Sequence, residues 1–465
     1  MTAIFRTLTQ HKLKVALLIG VILRVVLLGV FYESLFGYEI TGRTHGSTAY
    51  DEYALNLLET GVYGREAGVP DANIPPLYSV IVAGLYVLFG RGGLQIGLMH
   101  TVFDVLTMLM LYQIVRRLFR AHPAHEWIAT LSVLFFACYP YLIFQNLTLN
   151  DTAFFMLLMH AFILGMVTIR ERPQLDRHLW LLVILTGMIL GITTLNRALL
   201  PLLAIFCALW FLFRLSIGQT VIRLLPVALV SVLMLLPWMW RTYHVYEAFV
   251  PVALNTGENI YQGNNSATIQ LFRAGYDVQW SPGPPQAIRG DYFRNNQILL
   301  DAGLQWITDH PDQLPELLWV KFLVHWSIDI APRNNPLPGQ RFELDENDQL
   351  MIVRVDDPDA QLQDIETIAI YSEGLFDRVG RPVHMLYFGG LLMLALVGVG
   401  LSARYWRDVS LLWFVQISMT IMYLIFHPST RYRVPTDPLL FAFSAFTLVY
   451  LAYRWHQSKM MPPHP

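Results

Sequence analysis

The stretch Tyr50-Asp51-Glu52-Tyr53-Ala54-Leu55-Asn56-Leu57-Leu58-Glu59-Thr60-Gly61 reads as a short amphipathic helix. Tyr53, Ala54, Leu57 and Leu58 recur at helical spacing, so one face is apolar and suited to lie on a membrane surface. Gly61 is placed to end the helix, and Asp51 stands at its start, where the helix dipole favours a carboxylate. Capping alone, worth about 1 kcal/mol, would explain that carboxylate. Downstream, Ile74-Pro75-Pro76-Leu77-Tyr78 opens a second apolar helix, with proline at a position that suits a helix start.

The chain around these helices is a membrane chain. Hydrophobic residues make up 55% of it and charged residues 14%, against about 25% charged in soluble domains. Stretches of roughly 20 apolar residues fall near 13–32, 94–115, 127–144, 150–170, 178–196, 199–214, 220–240, 384–403, 410–427 and 438–454. The shorter stretches 76–90 and 316–328 are read as surface helices. With them outside, Arg116-Arg117, Arg120, Arg170, Arg172, Arg214, Arg223, Arg404 and Arg407 all fall on the cytoplasmic side, as the positive-inside rule requires. The expectation is an all-α polytopic membrane protein of about ten spans with both termini inside.

The division that follows is an N-terminal transmembrane module 1–241 carrying an outer loop 33–93, an outer segment 242–383, and C-terminal membrane helices 384–465. The outer segment, between the seventh and eighth spans, is polar enough for a small α-rich or mixed domain. A basic nucleic-acid surface is not in evidence at a net charge of −2. Cys138 and Cys207 lie in apolar runs and read as buried hydrophobes, not as a disulfide or metal pair. No histidine spacing signals a metal site.

Several polar residues need a reason. Asp151, after Asn150, heads a span at the outer surface, where capping would again account for it. Arg197 lies in a short outer turn, and Arg431 and Arg433 follow His427-Pro428, also outside. Arginine there breaks the basic-inside trend, and its forked donors suit a phosphate; contact with lipid headgroups is the plainer account. Arg24 sits mid-span at a cost of roughly 2.5–3.5 kcal/mol, so it must face a polar interior or a partner.

In order and spacing these residues resemble the GT-C superfamily of membrane glycosyltransferases, most of all the branch of protein O-mannosyltransferases and lipid A aminoarabinose transferases. The residues that carry the likeness are Arg24, Asp51-Glu52 with Gly61-Val62-Tyr63, Pro75-Pro76-Leu77-Tyr78, and Asn150-Asp151. Asn255 to Asn259, Gly263-Asn264-Asn265, Trp306 to Lys321, and Arg431-Tyr432-Arg433-Val434-Pro435 complete it.

The resemblance implies an inverting transferase that takes a sugar from a polyprenyl-phosphate donor on the outer membrane face. Asp51 would be general base, Glu52 and Asp151 would assist it or orient the acceptor, and Arg197, Arg431 and Arg433 would hold the donor phosphate. Tyr78, Asn259, Asn264 and Asn265 would belong to loops around donor or acceptor. The aminoarabinose transferases carry a lysine where this chain has Ile74, which puts phosphate recognition on the arginines. No cofactor is required, although Asp51 and Asp151 could share a divalent cation. The acceptor would be a protein, a lipid or a glycan, and the family likeness implies a bacterial inner membrane. The rival reading is a transporter or flippase of a lipid-linked or anionic substrate; the absence of an inverted repeat counts against it.

Overall fold

The computed structural model describes residues 11–40, 48–284, 286–288, 291–336, 339–354 and 376–460. Residues 41–47 of the first outer loop and 355–375 of the second lie outside the described residues. Helix α1 (Lys12–Ile40) is followed by α2 (Thr48–Thr60) and α3 (Leu77–Phe89). Next come α4 (Gly93–Leu118), α5 (His125–Ala137), its continuation α6 (Pro140–Gln145), α7 (Thr152–Glu171), α8 (Arg177–Thr194), α9 (Leu200–Leu212) and α10 (Ile217–Tyr246). The second outer segment holds α11 (Thr256–Gly263), α12 (Thr268–Arg273), α13 (Tyr292–Asp309), α14 (Leu314–His325) and a hairpin of β1 (Gln340–Leu344) and β2 (Leu350–Arg354). The chain closes with α15 (Arg381–Leu401), α16 (Trp406–Ile425), the single turn α17 (Thr430–Arg433) and α18 (Asp437–Met460).

Among the described residues, α1, α4, α7, α8, α10, α15, α16 and α18 lie in eight stretches long and apolar enough to cross a membrane. Two ion clusters show what the shorter helices do. At one end of α7, Asp151 meets Arg197 and Arg431; at the other, Arg170 and Arg214 both reach Asp408. Helix α9 begins after Arg197 and stops before Arg214, so it travels from one cluster to the other alongside the 20-residue α7. Helices α5 and α6 run from the Lys12–Glu126 pair to the turn before Asp151. The residue before a proline is pushed to extended backbone, and the break falls there, at Tyr139 (ψ 111°) before Pro140.

The expected basic clusters gather at the Asp408 end. Arg117 reaches Thr168, Arg120 pairs with Glu171, and Arg223 binds the Arg172 carbonyl. That is the end the positive-inside rule expects to face the cytoplasm. Both ends of α3 stay at the Asp151 end: Leu77 N–H donates to the Leu195 carbonyl, and Arg91, just past α3, pairs with Asp51 in α2. Helix α14 stays there too, with Lys321 donating to the Leu424 carbonyl in the last turn of α16 at 2.9 Å.

One local expectation is corrected. The apolar face of α2 does not lie on the membrane, since Tyr53 and Ala54 are fully buried and Ala54 packs with Tyr78, Val82 and Ala83 of α3. Burying two aromatic-rich helices against each other removes more apolar surface from water than laying one on headgroups. The exposed apolar edge belongs to the end of α3, at Val87, Leu88 and Phe89.

Arg24 is fully buried and finds a partner in Asp104 of α4, Nε to Oδ2 at 2.6 Å, while Asn146 donates to the same oxygen at 3.0 Å. Breaking such a pair leaves a buried charge uncompensated. Asp104→Ala is therefore expected to destabilise the protein by about 3–5 kcal/mol, seen as a lower thermal unfolding midpoint in detergent. Replacing both residues by leucine should recover much of that loss. Equal midpoints for the single and double variants would refute this account of the pair.

Candidate active site

The site is assembled where α2, the start of α7, the α8–α9 turn and α17 meet. Asp151 immediately precedes α7 and is 1% exposed. Arg197 grips both its oxygens, Nε to Oδ2 at 2.6 Å and Nη2 to Oδ1, and Asn196 donates to Oδ2 at 3.2 Å. Arg431 approaches Oδ1 from the other side at 4.0 Å. Burial alone would raise the Asp151 carboxyl, but the charge and hydrogen bonds of Arg197, reinforced by Arg431, hold it below the usual carboxylate range. These three side chains alone sum to one positive charge, and Asp277, whose carboxyl burial pushes up, also lies near Arg431. Arg197 Nη1 and Arg431 Nε are buried without a hydrogen-bond partner, which is costly unless a ligand supplies acceptors.

Tyr50, one residue before Asp51, faces this cluster. Burial raises its hydroxyl pKa, with Asp151 adding to the rise and Arg431 and Arg197 opposing it. Its ring stands edge-on to Tyr78 at 4.9 Å, and the Tyr78 hydroxyl lies 2.6 Å from His100 Nε2. Successive side chains on a helix diverge by about 100°, so Asp51 points elsewhere. Its Oδ1 accepts from the Tyr86 hydroxyl at 2.7 Å and Arg91 Nε at 3.1 Å, and its Oδ2 accepts from Arg91 Nη2. A carboxylate offers about four lone-pair directions, so these three bonds leave one for a hydroxyl. Asp51 and Asp151 are thus each held by an arginine of their own. Glu52 turns to the surface and pairs with Arg65 at 2.7 Å.

Arg433 does not join the cluster. A one-turn helix sends residue i+2 to the opposite side, and Arg433 is fully buried. There it donates to the His325 and Ser327 carbonyls at 3.0 and 2.6 Å, pairs with Asp437, and stacks on Phe388 at 3.8 Å. It pins the outer segment to the bundle, and a donor phosphate has no route to it.

The asparagines make contacts within the outer segment and to the bundle. Rather than a turn-rich loop, 256–263 and 268–273 are helices. Asn264 accepts from Lys321 Nζ at 3.0 Å, Asn265 caps the turn before α12 by accepting from Ala267 N–H, and Asn259 Oδ1 lies 3.1 Å from His427 Nε2. Gly263 is required there, since a Cβ would stand 2.0 Å from the Phe426 carbonyl oxygen.

Burial brings the Lys321 ammonium down to about 7. An unfolded lysine takes its proton near 10.4. Between those values the unfolded chain binds more protons than the folded one, so stability rises with pH across that window and is flat below it. A thermal midpoint that climbs from pH 7 to pH 9, with the climb reduced in Lys321→Met, is the expected result.

Sequence reasoning passed over Tyr50, Tyr86, Arg91, His100 and Asp104. Asp104 had a visible signal, being an acidic residue inside a span that also needed to neutralise Arg24.

A helical bundle with a carboxylate held between two arginines at one end has guanidinium donors chemically suited to an anion. Residues 73–240 match the family model described as dolichyl-phosphate-mannose-protein mannosyltransferase. The fold is similar to that of the Archaeoglobus fulgidus oligosaccharyltransferase complex with Zn and sulfate (14% identity, TM-score 0.53, 96% of this chain and 49% of that one). It is similar also to archaeal AglB of the same organism in complex with an inhibitory peptide and a dolichol-phosphate (13% identity, TM-score 0.52, 98% and 52%). ArnT from Cupriavidus metallidurans bound to undecaprenyl phosphate shows 15% identity and TM-score 0.42 over 94% of this chain and 76% of that one. The chain spans about half the length of the oligosaccharyltransferases it matches. No curated protein sequence matches it. The chain thus shares its fold with these membrane proteins over nearly its whole length, and its residues 73–240 resemble a glycosyltransferase family model. Among the described residues, no group of three or more His, Cys, Asp or Glu is placed to hold a metal ion.

Proposed function

We propose that this chain moves a sugar from a polyprenyl-phosphate donor to an acceptor hydroxyl at the Asp151 end of the bundle, on the periplasmic side of a bacterial inner membrane. The observation that carries the reading is the pair of buried guanidinium N–H groups without acceptors, Arg197 Nη1 and Arg431 Nε, in a cluster with Asp151 whose three side chains alone sum to +1. A lipid phosphate supplies both the missing acceptors and the missing charge. Asp151 holds the two arginines at the outer boundary and is itself spent on them. Arg433 is left out of the phosphate site.

In the reaction, the acceptor oxygen forms a bond to the anomeric carbon as the bond from that carbon to the phosphate oxygen breaks. The electron pair leaves with the phosphate, where Arg197 and Arg431 stabilise the growing charge. The acceptor proton passes to Asp51 as general base, through the oxygen lone pair that Tyr86 and Arg91 leave open. Attack opposite the leaving group inverts the anomeric centre. Against transport, the charged pair inside the bundle, Arg24 with Asp104, is neutralised and sealed.

Purified protein given polyprenyl-phosphate hexose and pentose donors, with bacterial envelope extract as acceptor source, should release free polyprenyl phosphate detectable by mass spectrometry. Uptake of donor into vesicles without release would support the transport reading instead.

A further inference from the structure

Tyr423 lies in the last turn of α16, at the Asp151 end of the bundle. Its ring stacks on Tyr432 of α17, with centroids 5.1 Å apart and planes 7° from parallel, and on His325 at the end of α14, 5.8 Å away at 28°. Aromatic pairs favour such stacked contacts, so two other elements fix where the hydroxyl points. The residue is 5% exposed, and its hydroxyl is buried with no hydrogen-bond partner.

This hydroxyl belongs beside the arginine cluster. Arg197 and Asp151 both lie within its electrostatic reach, and its stacking partner Tyr432 is the chain neighbour of Arg431. Three buried polar atoms therefore stand together without partners: Arg197 Nη1 from the α8–α9 turn, Arg431 Nε from α17 and the Tyr423 hydroxyl from α16. They cannot satisfy one another. A hydroxyl carries one proton to give and two lone pairs, whereas a guanidinium only donates. Either arginine could fill a lone pair of Tyr423, but neither can take its proton. The oxygens of Asp151 are held by Arg197 and Asn196. Burying a hydroxyl whose proton has no acceptor is costly, and a phenylalanine would stack on the same two rings without that cost. Three donors converging from three elements are the complement of a group with several acceptor oxygens.

We propose that the Tyr423 hydroxyl is the third donor of the anion site, giving its proton to an oxygen of the phosphate that Arg197 Nη1 and Arg431 Nε also contact. This rests on the donor-phosphate reading above and adds one neutral contact to two charged ones. The arginines attract any anion; a hydroxyl fixed by stacking favours an anion with an acceptor oxygen at that position.

The test compares the ligand-free protein with the complex, because the hydroxyl is unmet in one and used in the other. Tyr423→Phe removes the hydroxyl and keeps the ring. In nanodiscs without ligand, its thermal midpoint should equal or exceed the native one. Its equilibrium Kd for undecaprenyl phosphate should rise about tenfold, the loss of one hydrogen bond to a charged group. Tyr387→Phe is the control, since the Tyr387 hydroxyl donates to the Phe135 carbonyl at 2.8 Å; it should lower the midpoint and leave the affinity unchanged. Native affinity in Tyr423→Phe would overturn the proposal, as would a lowered ligand-free midpoint, which would give the hydroxyl a partner within the protein. If Arg431→Ala still weakens binding in either case, the donor-phosphate reading survives that failure. Inorganic phosphate that binds as tightly as the lipid, with the same loss in Tyr423→Phe, would keep Tyr423 as an anion donor and sink only the lipid reading. Binding of neither anion by the native protein would overturn both.

Discussion

Arg431→Ala is expected to lower sugar transfer by roughly 10²–10³-fold, the loss seen when one preorganised donor to a developing oxyanion is removed, while the protein stays folded. The fold should survive because Arg431 is a marginal structural partner. It stands 4.0 Å from Asp151, whose charge Arg197 already neutralises through two direct contacts. Its Nε is buried without a hydrogen-bond partner. Arg197→Ala is the contrasting case. It strips a fully buried carboxylate of its principal partner, a change that costs about 3–5 kcal/mol, so lost activity there would reflect lost structure. Donor titration separates the two: Arg431→Ala should raise KM for the donor and lower kcat with an unchanged thermal midpoint. Full transfer by Arg431→Ala would remove the arginine cluster from the donor site.

Asp51→Asn should reduce kcat by about 10²–10⁴-fold, the range for loss of a general base, with donor binding retained. The amide keeps the shape of the carboxylate and can still accept from Tyr86, so α2 and α3 should stay packed. It cannot take the acceptor proton. Because Asp51 belongs to Arg91 and Tyr86 and not to the Asp151 cluster, the substitution leaves the phosphate site untouched. A variant that transfers sugar at the native rate would strike Asp51 from the mechanism, and Asp277, the other carboxyl near Arg431, would be the next to test.

These two sites differ in how visible they were before the structure. Spans and their parity followed from hydropathy and basic residues, since lipid imposes the same demand on every crossing segment. Arg197 and Arg431 stood out because arginine on the outer side needs an explanation, and both meet Asp151. Arg433 stood out for the same reason and serves another purpose. Only the turn of α17 separates it from Arg431, and its partner Asp437 lies one helical turn further on. The three asparagines of 259–265 looked like loop residues because asparagine favours turns. Here Asn264 binds the Ile425 carbonyl and Lys321 and Asn259 meets His427, contacts that depend on α14 and the end of α16 arriving from far along the chain. Asp51 was legible as a helix-start carboxylate, but its partner Arg91 stands 40 positions away, and no local pattern announces it. Tyr423 gave no signal, since a tyrosine near the end of a span reads the same whether its hydroxyl is satisfied or open.

The central claim is that the cluster of Asp151, Arg197 and Arg431 holds a lipid phosphate. It is tested most directly by titrating unglycosylated undecaprenyl phosphate into the purified protein in nanodiscs and following thermal unfolding. A ligand that binds only the folded state at 100 times its Kd stabilises by about 2.7 kcal/mol. Saturable stabilisation, lost or sharply weakened in Arg431→Ala and retained in Asp51→Asn, is the predicted result. No stabilisation at any concentration, or the same stabilisation in Arg431→Ala, would contradict it.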